Sequence, residues 1–204
     1  MSDEQRKAQR LDISRHAVRL FAEQGVAATS GEQIARAAGV SERTLWRHFR
    51  AKESCVEPLL TKVVDAFREV LHAWPAETDL TEHLRAAYRP LFESSSSADI
   101  EAVHAVVRLT RDEPALRAAY LMLRERAEDT FAEVLAERLA MPAESFEVRA
   151  RAAAVDAVLK VAADRLADDT ADTGITPEIL RRHREQLAGA LSLITHGMSN
   201  RQGN

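Results

Sequence analysis

The chain has 204 residues, of which 46% are hydrophobic and 29% charged, and its formal net charge is -4; a chain of this size can bury one sizeable core or two small ones. A single cysteine excludes an internal disulfide, and without an apolar run of about 18 residues or a signal-peptide pattern we expect a cytoplasmic protein with no membrane partner. Only seven Gly and six Pro stand among abundant Ala, Leu, Arg and Glu, which favours an all-α fold.

Apolar residues recur at helical spacing along the chain and predict about nine helices and no strand. The approximate bounds are 6–24, 31–38, 42–50, 52–74, 79–92, 98–110, 114–139, 144–168 and 177–196. Ser30 and Gln33 form a capping box at the start of the second helix. Gly39 supplies the positive φ of a tight turn, and the Trp74-Pro75 step stops the fourth helix.

The eighth predicted helix is apolar almost all round its middle, from Ala152 to Ala162. A helix with that pattern is covered by other structure on more than one side. The ninth predicted helix carries a stripe of Leu and Ile. We therefore expect one face of the eighth helix to need a partner beyond its own core.

Three small or apolar residues stand at the offsets of a helix-turn-helix. Ala35 lets the second helix cross closely, Gly39 makes the turn, and Leu45 anchors the third helix. With these residues inward, Arg43 and Arg47 lie four positions apart on a polar face that can enter a major groove. Arginine can fork onto guanine O6 and N7, so these two residues are the predicted carriers of sequence specificity.

The charge of the chain is uneven. Residues 1–52 hold ten Lys or Arg against six Asp or Glu, which leaves this segment at +4 and the rest of the chain at -8. A basic segment ahead of an acidic body favours a polyanionic partner such as duplex DNA. Thr44 and His48 share the polar face and can meet a base edge or a phosphate. Ser30 and Lys52 are expected on the phosphate backbone beside it.

Residues 21–53 read FAEQGVAATSGEQIARAAGVSERTLWRHFRAKE. This run resembles the DNA-binding domain of the tetracycline-repressor (TetR) family over almost its full extent. The resemblance implies a helix-turn-helix domain at residues 1–51 and a ligand-binding and dimerisation domain at residues 52–204. The positions that match the DNA contacts of the family are Thr29, Ser30, Ser41, Arg43, Thr44, Trp46, Arg47, His48 and Lys52.

Three residues of the third helix depart from a plain cationic reading surface. Trp46 and His48 stand where the family commonly has tyrosines. Glu42 also faces the DNA anion, which weakens binding unless Glu42 pairs or reads a cytosine amine. A core position is the alternative for Trp46. Because Leu45 and Phe49 already fill the inward face, we expect Trp46 to lie outside it.

The resemblance also implies an assembly and a mode of control. In the family the last two helices pair into a four-helix bundle, which implies a homodimer through helices eight and nine. Such a dimer sets two reading helices about 34 Å apart on a near-palindromic operator. Ligand held among the middle helices moves the fourth helix and spoils that spacing. The resemblance thus implies a ligand-responsive repressor that a small hydrophobic effector releases from DNA.

A pocket for such an effector is expected to be mostly apolar with a few polar groups. The candidate lining residues are Trp74, Tyr88, Phe92, His104, Arg108 and Tyr120. For each of them a plain core position is the alternative. Residues 109–139 also resemble a TetR subgroup described as having an acyl-CoA-like ligand-binding domain. That resemblance implies a fatty acyl thioester as one candidate effector.

Two other classes of protein are alternatives. A helical metal-dependent enzyme with a di-iron site needs two Glu-x-x-His pairs, and only Glu101 with His104 fits. We therefore predict no catalysis and no cofactor. A helical adaptor that binds protein has no reason to keep the charged face of the third helix. Arg6, Lys7 and Arg10 form either a disordered arm or a contact with the DNA backbone, and they stay outside the predicted site.

Overall fold

The computed structural model describes residues 2–75, 77–78, 82–87 and 97–195. Every regular element within these residues is a helix, which confirms the predicted all-α fold. In chain order the elements are α1 (Asp3–Gln24), α2 (Gly31–Ala37), α3 (Glu42–His48), a 3-10 turn (Glu53–Val56), α4 (Glu57–His72), α5 (described at 82–87), α6 (Ser97–Leu109), α7 (Pro114–Leu139), α8 (Phe146–Asp169) and α9 (Pro177–Thr195). The predicted bounds agree to within a few residues, except that most of the fifth helix lies outside the described residues.

Serine side chains begin several of these helices. The hydroxyls of Ser2, Ser30, Ser41 and Ser145 each accept the backbone N–H three residues on, at α1, α2, α3 and α8. At α1 and α2 the capping box is complete, because a glutamine side chain accepts the serine N–H in return. The Ser2 cap explains why α1 begins at Asp3 and not near residue 6 as predicted.

The described residues form two compact units. The first comprises the residues up to Val63 together with Ala98–Leu123. The largest side chains fully buried in its core are Phe21, Ile13, Ile34, Leu45, Leu59 and Leu116. Helix α6 and the first part of α7 thus share a core with α1, α2 and α3. The functional boundary between residues 51 and 52 stays a prediction.

The second unit comprises the remaining described residues. Its core contains an edge-to-face pair of rings, Phe67 and Phe131, whose centroids are 5.7 Å apart. Helices α8 and α9 pack against each other in this unit. The residues that complete the core include Leu84, Leu135, Val148, Val155, Leu187 and Leu191.

None of the helices in the described ranges combines the length and the hydrophobicity needed to cross a lipid bilayer. In the same part of the chain, no three His, Cys, Asp or Glu side chains come together as ligands for a metal ion.

Candidate nucleic-acid interface

Helices α2 and α3 form the predicted helix-turn-helix. Gly39 makes the turn with φ of 63°, a conformation that favours glycine. The turn is closed by the N–H of Val40, which donates to the carbonyl of Ala35 at 2.9 Å. Ala35 and Leu45 are 2% and 0% exposed, so they anchor the two helices as the sequence predicts.

The opposite face of α3 is exposed and cationic. Arg43 and Arg47 are both exposed, and Arg50 follows directly after the helix. Glu42 is also exposed at the start of α3. Because Leu45 and Phe49 are buried, the register that puts them inward is the register that turns the two arginines outward. A contact between these arginines and DNA stays a prediction.

Trp46 lies outside the core and covers the first residue of α2. Its side chain is 43% exposed, so the alternative of a plain core aromatic is wrong. A Cβ atom placed on Gly31 would lie only 2.1 Å from Cζ2 of the indole, and the ring therefore requires a glycine there. This role of Gly31 was not predicted, because neither a turn nor a positive φ marks the position.

Two residues that were predicted to contact DNA, Thr29 and Lys52, form hydrogen bonds within the protein. Thr29 is 1% exposed, and its hydroxyl donates to the carbonyl of Gly25 at 2.7 Å. The ammonium of Lys52 donates to the carbonyls of Val26 and Thr29, at 2.6 and 2.8 Å. We therefore reassign the Thr29 side chain to support of the loop before α2. Lys52 bridges two carbonyls of the same loop.

The remaining predicted contacts lie at the ends of α2 and α3. Ser30 and Ser41 are exposed and cap the two helices. Thr44 accompanies the Ser41 cap, since its hydroxyl lies 3.0 Å from the Ser41 hydroxyl. At the other end of α3, Nε2 of His48 lies 3.0 Å from Oε1 of Gln9. Burial, followed by the nearby charge of Arg47, lowers the pKa of His48.

A buried carboxylate joins three helices of the first unit. Asp99, in the first turn of α6, accepts two hydrogen bonds from the guanidinium of Arg15 in α1, at 2.6 and 2.8 Å. The ammonium of Lys62 in α4 donates to the same carboxylate at 2.8 Å. Mainly through the Arg15 hydrogen bonds, these partners lower the pKa of Asp99 to about 2. We call these three residues the Asp99 junction.

The predicted effector residues fall into three groups. Trp74 belongs to the second unit, where it is buried, donates its indole N–H to the carbonyl of Thr78 and lies under the guanidinium of Arg138, 3.4 Å from the ring centroid. Arg138 therefore covers one face of the indole, and its N–H is already hydrogen-bonded to Thr78. His104, Arg108 and Tyr120 belong to the first unit, the histidine and the tyrosine buried. Tyr88 and Phe92 lie outside the described residues.

A capped two-helix motif whose second helix turns an arginine pair outward defines a helix-turn-helix DNA-binding protein. Two family profiles match the chain. The profile of bacterial regulatory proteins of the tetR family matches residues 13–59, and the profile of the MftR C-terminal domain, a TetR C-terminal type, matches residues 78–192. The chain belongs to the TetR family of bacterial regulators.

Two relatives of the chain are transcriptional regulators of the helix-turn-helix (HTH) type. The HTH-type transcriptional regulator TcmR of Streptomyces glaucescens is 33% identical over 141 residues, which are 66% of this chain and 62% of that protein. The HTH-type transcriptional repressor KstR2 of Rhodococcus jostii is 35% identical over 112 residues, 53% of this chain and 50% of that protein. The matched part thus spans half to about three fifths of these relatives.

Solved structures share the fold over nearly the whole chain. A TetR-family regulator from Mesorhizobium loti superposes with a TM-score of 0.57 at 19% identity, covering 96% of this chain and 98% of that one. Thermus thermophilus FadR, a TetR-family repressor in complex with lauroyl-CoA, superposes with a TM-score of 0.53 at 24% identity, covering 93% and 94%. At such identities the likeness concerns the fold alone.

Proposed function

We propose that this protein is a ligand-responsive transcriptional repressor that binds a near-palindromic DNA operator as a homodimer in the cytoplasm. The observation that carries the proposal is the exposed arginine pair of α3, Arg43 and Arg47, on a helix-turn-helix of the TetR family. Membership in a family with named repressors among the relatives supports repression. The alternatives of a metal-dependent enzyme and a protein adaptor have no support in the relatives.

On DNA, the arginines of α3 read bases and the flanking residues hold the backbone. The guanidinium groups of Arg43 and Arg47 can each donate two hydrogen bonds to a guanine in the major groove. The exposed caps Ser30 and Ser41 lie at the ends of the helices next to this face, where hydroxyls can donate to phosphate oxygens. The half-exposed indole of Trp46 offers one more N–H donor.

A homodimer through α8 and α9 is supported by an exposed stripe of small and apolar side chains. In the first four turns of α8 and just beyond, exposed small and apolar residues recur every three or four positions, as one face of a helix requires: Phe146, Ala150, Ala153, Ala157 and Val161. On α9, Gly189 has open space where a Cβ would lie, and Leu193 is 82% exposed. Small residues let a second pair of helices approach closely, and the exposed large side chains then leave water.

The proposed effector is a fatty acyl thioester. It is supported by the resemblance of residues 109–139 to a subgroup described as having an acyl-CoA-like ligand-binding domain, and by the shared fold of a repressor in complex with lauroyl-CoA. To drive the protein from mostly DNA-competent to mostly released, a ligand must favour the released state by about 5.5 kcal/mol. That preference, and not tight binding alone, is what a test must detect.

The DNA-reading proposal is tested with duplexes selected by the protein from a random pool. Fluorescence anisotropy then compares the wild type with Arg43→Ala and Arg47→Ala, each expected to weaken specific binding by about 1–3 kcal/mol. Arg126→Ala, which removes an exposed charge of α7, is the matched control and should bind as the wild type does. If both α3 variants keep full affinity, the assignment of α3 is wrong.

The assembly and the effector are tested separately. Ala157→Glu places a charge in the exposed stripe of α8 and should convert the dimer to a monomer in sedimentation velocity, whereas Ala118→Glu on the exposed side of α7 should not. Lauroyl-CoA should raise the melting temperature and release the selected duplex. A dimer that survives Ala157→Glu contradicts the interface, and unchanged DNA binding at saturating lauroyl-CoA contradicts the effector.

A further inference from the structure

The C-terminal end of α3 is held by two consecutive side chains of α1. Nη1 of Arg10 donates to the backbone carbonyl of His48 at 2.8 Å. The guanidinium carbon of Arg10 lies 4.8 Å from the centroid of the Phe49 ring. One residue earlier, Oε1 of Gln9 lies 3.0 Å from Nε2 of the His48 ring. We call these contacts the α1 clamp.

The clamp acts where α3 needs support. With seven residues, α3 has about two turns, and a helix this short does not hold its direction without tertiary contacts. Its last carbonyl groups have no partner within the helix, and the negative end of the helix dipole favours a cation there. Arg10 supplies a cationic donor to one of these carbonyls and a flat face for the Phe49 ring.

His48 is occupied by the clamp. Burial and the charges of Arg47, Arg10 and Arg6 all disfavour a protonated ring and lower the pKa of His48, which favours the neutral imidazole. With the Gln9 oxygen as acceptor, the Nε2–H of the neutral ring is the donor of this hydrogen bond. That N–H is therefore directed at α1 and not at a phosphate.

We propose that Gln9 and Arg10 are positioning residues for DNA recognition, which fix the angle of α3 in the groove by clamping its C-terminal end through His48. The inference rests on the proposed function, since it concerns how the arginine face is presented to DNA. It also assigns Arg10 a place within the reading unit, in α1, and not in a disordered arm. Arg47 lies one residue before His48, so its base contact depends on the clamp more than that of Arg43 does.

Removing a positioning residue and removing a phosphate contact change DNA binding in different ways. Loss of a phosphate contact weakens binding to every sequence and lowers the slope of log K against log salt by about 0.9. Loss of a positioning residue weakens binding to the selected operator, leaves binding to an unrelated duplex unchanged, and relaxes the preference for the bases next to Arg47. Measuring two duplexes over a range of salt therefore separates the two roles.

The experiment compares Arg10→Gln and Gln9→Ala with the wild type on the selected operator and on a scrambled duplex of equal length. Arg10→Gln is expected to lose about tenfold in operator affinity and Gln9→Ala a few-fold, with scrambled binding and its salt slope unchanged. Arg19→Gln, which removes an exposed charge of the same helix, is the matched control and should keep both affinities. A renewed selection with Arg10→Gln should return a motif degenerate at the Arg47 position.

Other results of this experiment would overturn the inference or would separate it from the proposed function. Equal losses on both duplexes, with a lower salt slope, make Arg10 a phosphate contact and overturn the inference. Unchanged operator affinity in both variants overturns it as well. If Arg10→Gln lowers the melting temperature so far that it unfolds, Gln9→Ala, which removes one hydrogen bond and no charge, decides the question. A wild type that selects no motif refutes the proposed function and not the clamp.

Discussion

Replacing Asp99 by Asn tests how much the Asp99 junction stabilises the first unit. The asparagine keeps the shape of the side chain but removes the charge that Arg15 and Lys62 share. The pKa of Asp99 falls from its usual value of 3.8 to about 2, which corresponds to about 2 kcal/mol in favour of the folded state when the carboxyl is ionised. We expect Asp99→Asn to lose about that much in free energy of unfolding at pH 7.

The pH dependence provides the internal check. Because folding lowers this pKa, the stabilisation is complete above about pH 4 and is lost as the pH falls towards 2. Urea denaturation should therefore show the difference between wild type and Asp99→Asn shrinking by about half between pH 7 and pH 3. Asp12→Asn, at an exposed carboxylate of α1, is the control and should change stability by less than about 0.5 kcal/mol.

Two results would refute this reasoning. The first is an Asp99→Asn variant as stable as the wild type at pH 7, which would mean that desolvation of the carboxylate cancels its ion pairs. The second is a destabilisation of the same size at pH 7 and pH 3, which would mean that packing and not charge is responsible.

Three further predictions concern single positions. Gly31→Ala should displace the Trp46 indole and lower operator affinity about as much as Trp46→Ala, with no further loss in the double variant, as a double-mutant cycle by anisotropy would show. Ser14→Ala should raise the free energy of unfolding by about 1 kcal/mol in urea, because the fully buried Ser14 hydroxyl has no hydrogen-bond partner within the described residues. Burial lowers the pKa of His183 to about 4, so the contribution of the neutral His183 to the free energy of unfolding is complete above about pH 6.5 and declines as the pH falls to 4. Over that interval the free energy of unfolding of the wild type should fall by roughly 2–3 kcal/mol more than that of His183→Gln.

The helices and the outward arginines could be predicted because their signals are local. Ser30 and Gln33 lie three residues apart, and their capping box needs no knowledge of the rest of the chain. The same holds for Gly39, whose positive φ follows from its place between two short amphipathic segments. Once Leu45 is inward, helical geometry fixes where Arg43 lies.

The long-range contacts of the first unit could not be predicted, because their partners are far apart in sequence. Arg15 and Asp99 are separated by 84 residues, and no periodicity relates them. Gln9 precedes His48 by 39 residues and looks like any exposed polar residue of an amphipathic helix. Thr29 matched a DNA contact by position, but its burial depends on how the loop before α2 folds. The motif therefore predicts an interface, but it does not predict the long-range contacts around it.

The two arginines of α3 lie at the surface of the first unit. Arg43 and Arg47 are exposed, and across the described ranges neither takes a hydrogen bond or an ion pair with the rest of the chain. Exchanging such side chains changes stability by less than about 0.5 kcal/mol. Under the proposed function, other side chains at these two positions would change the target sequence and leave the packing of the first unit intact.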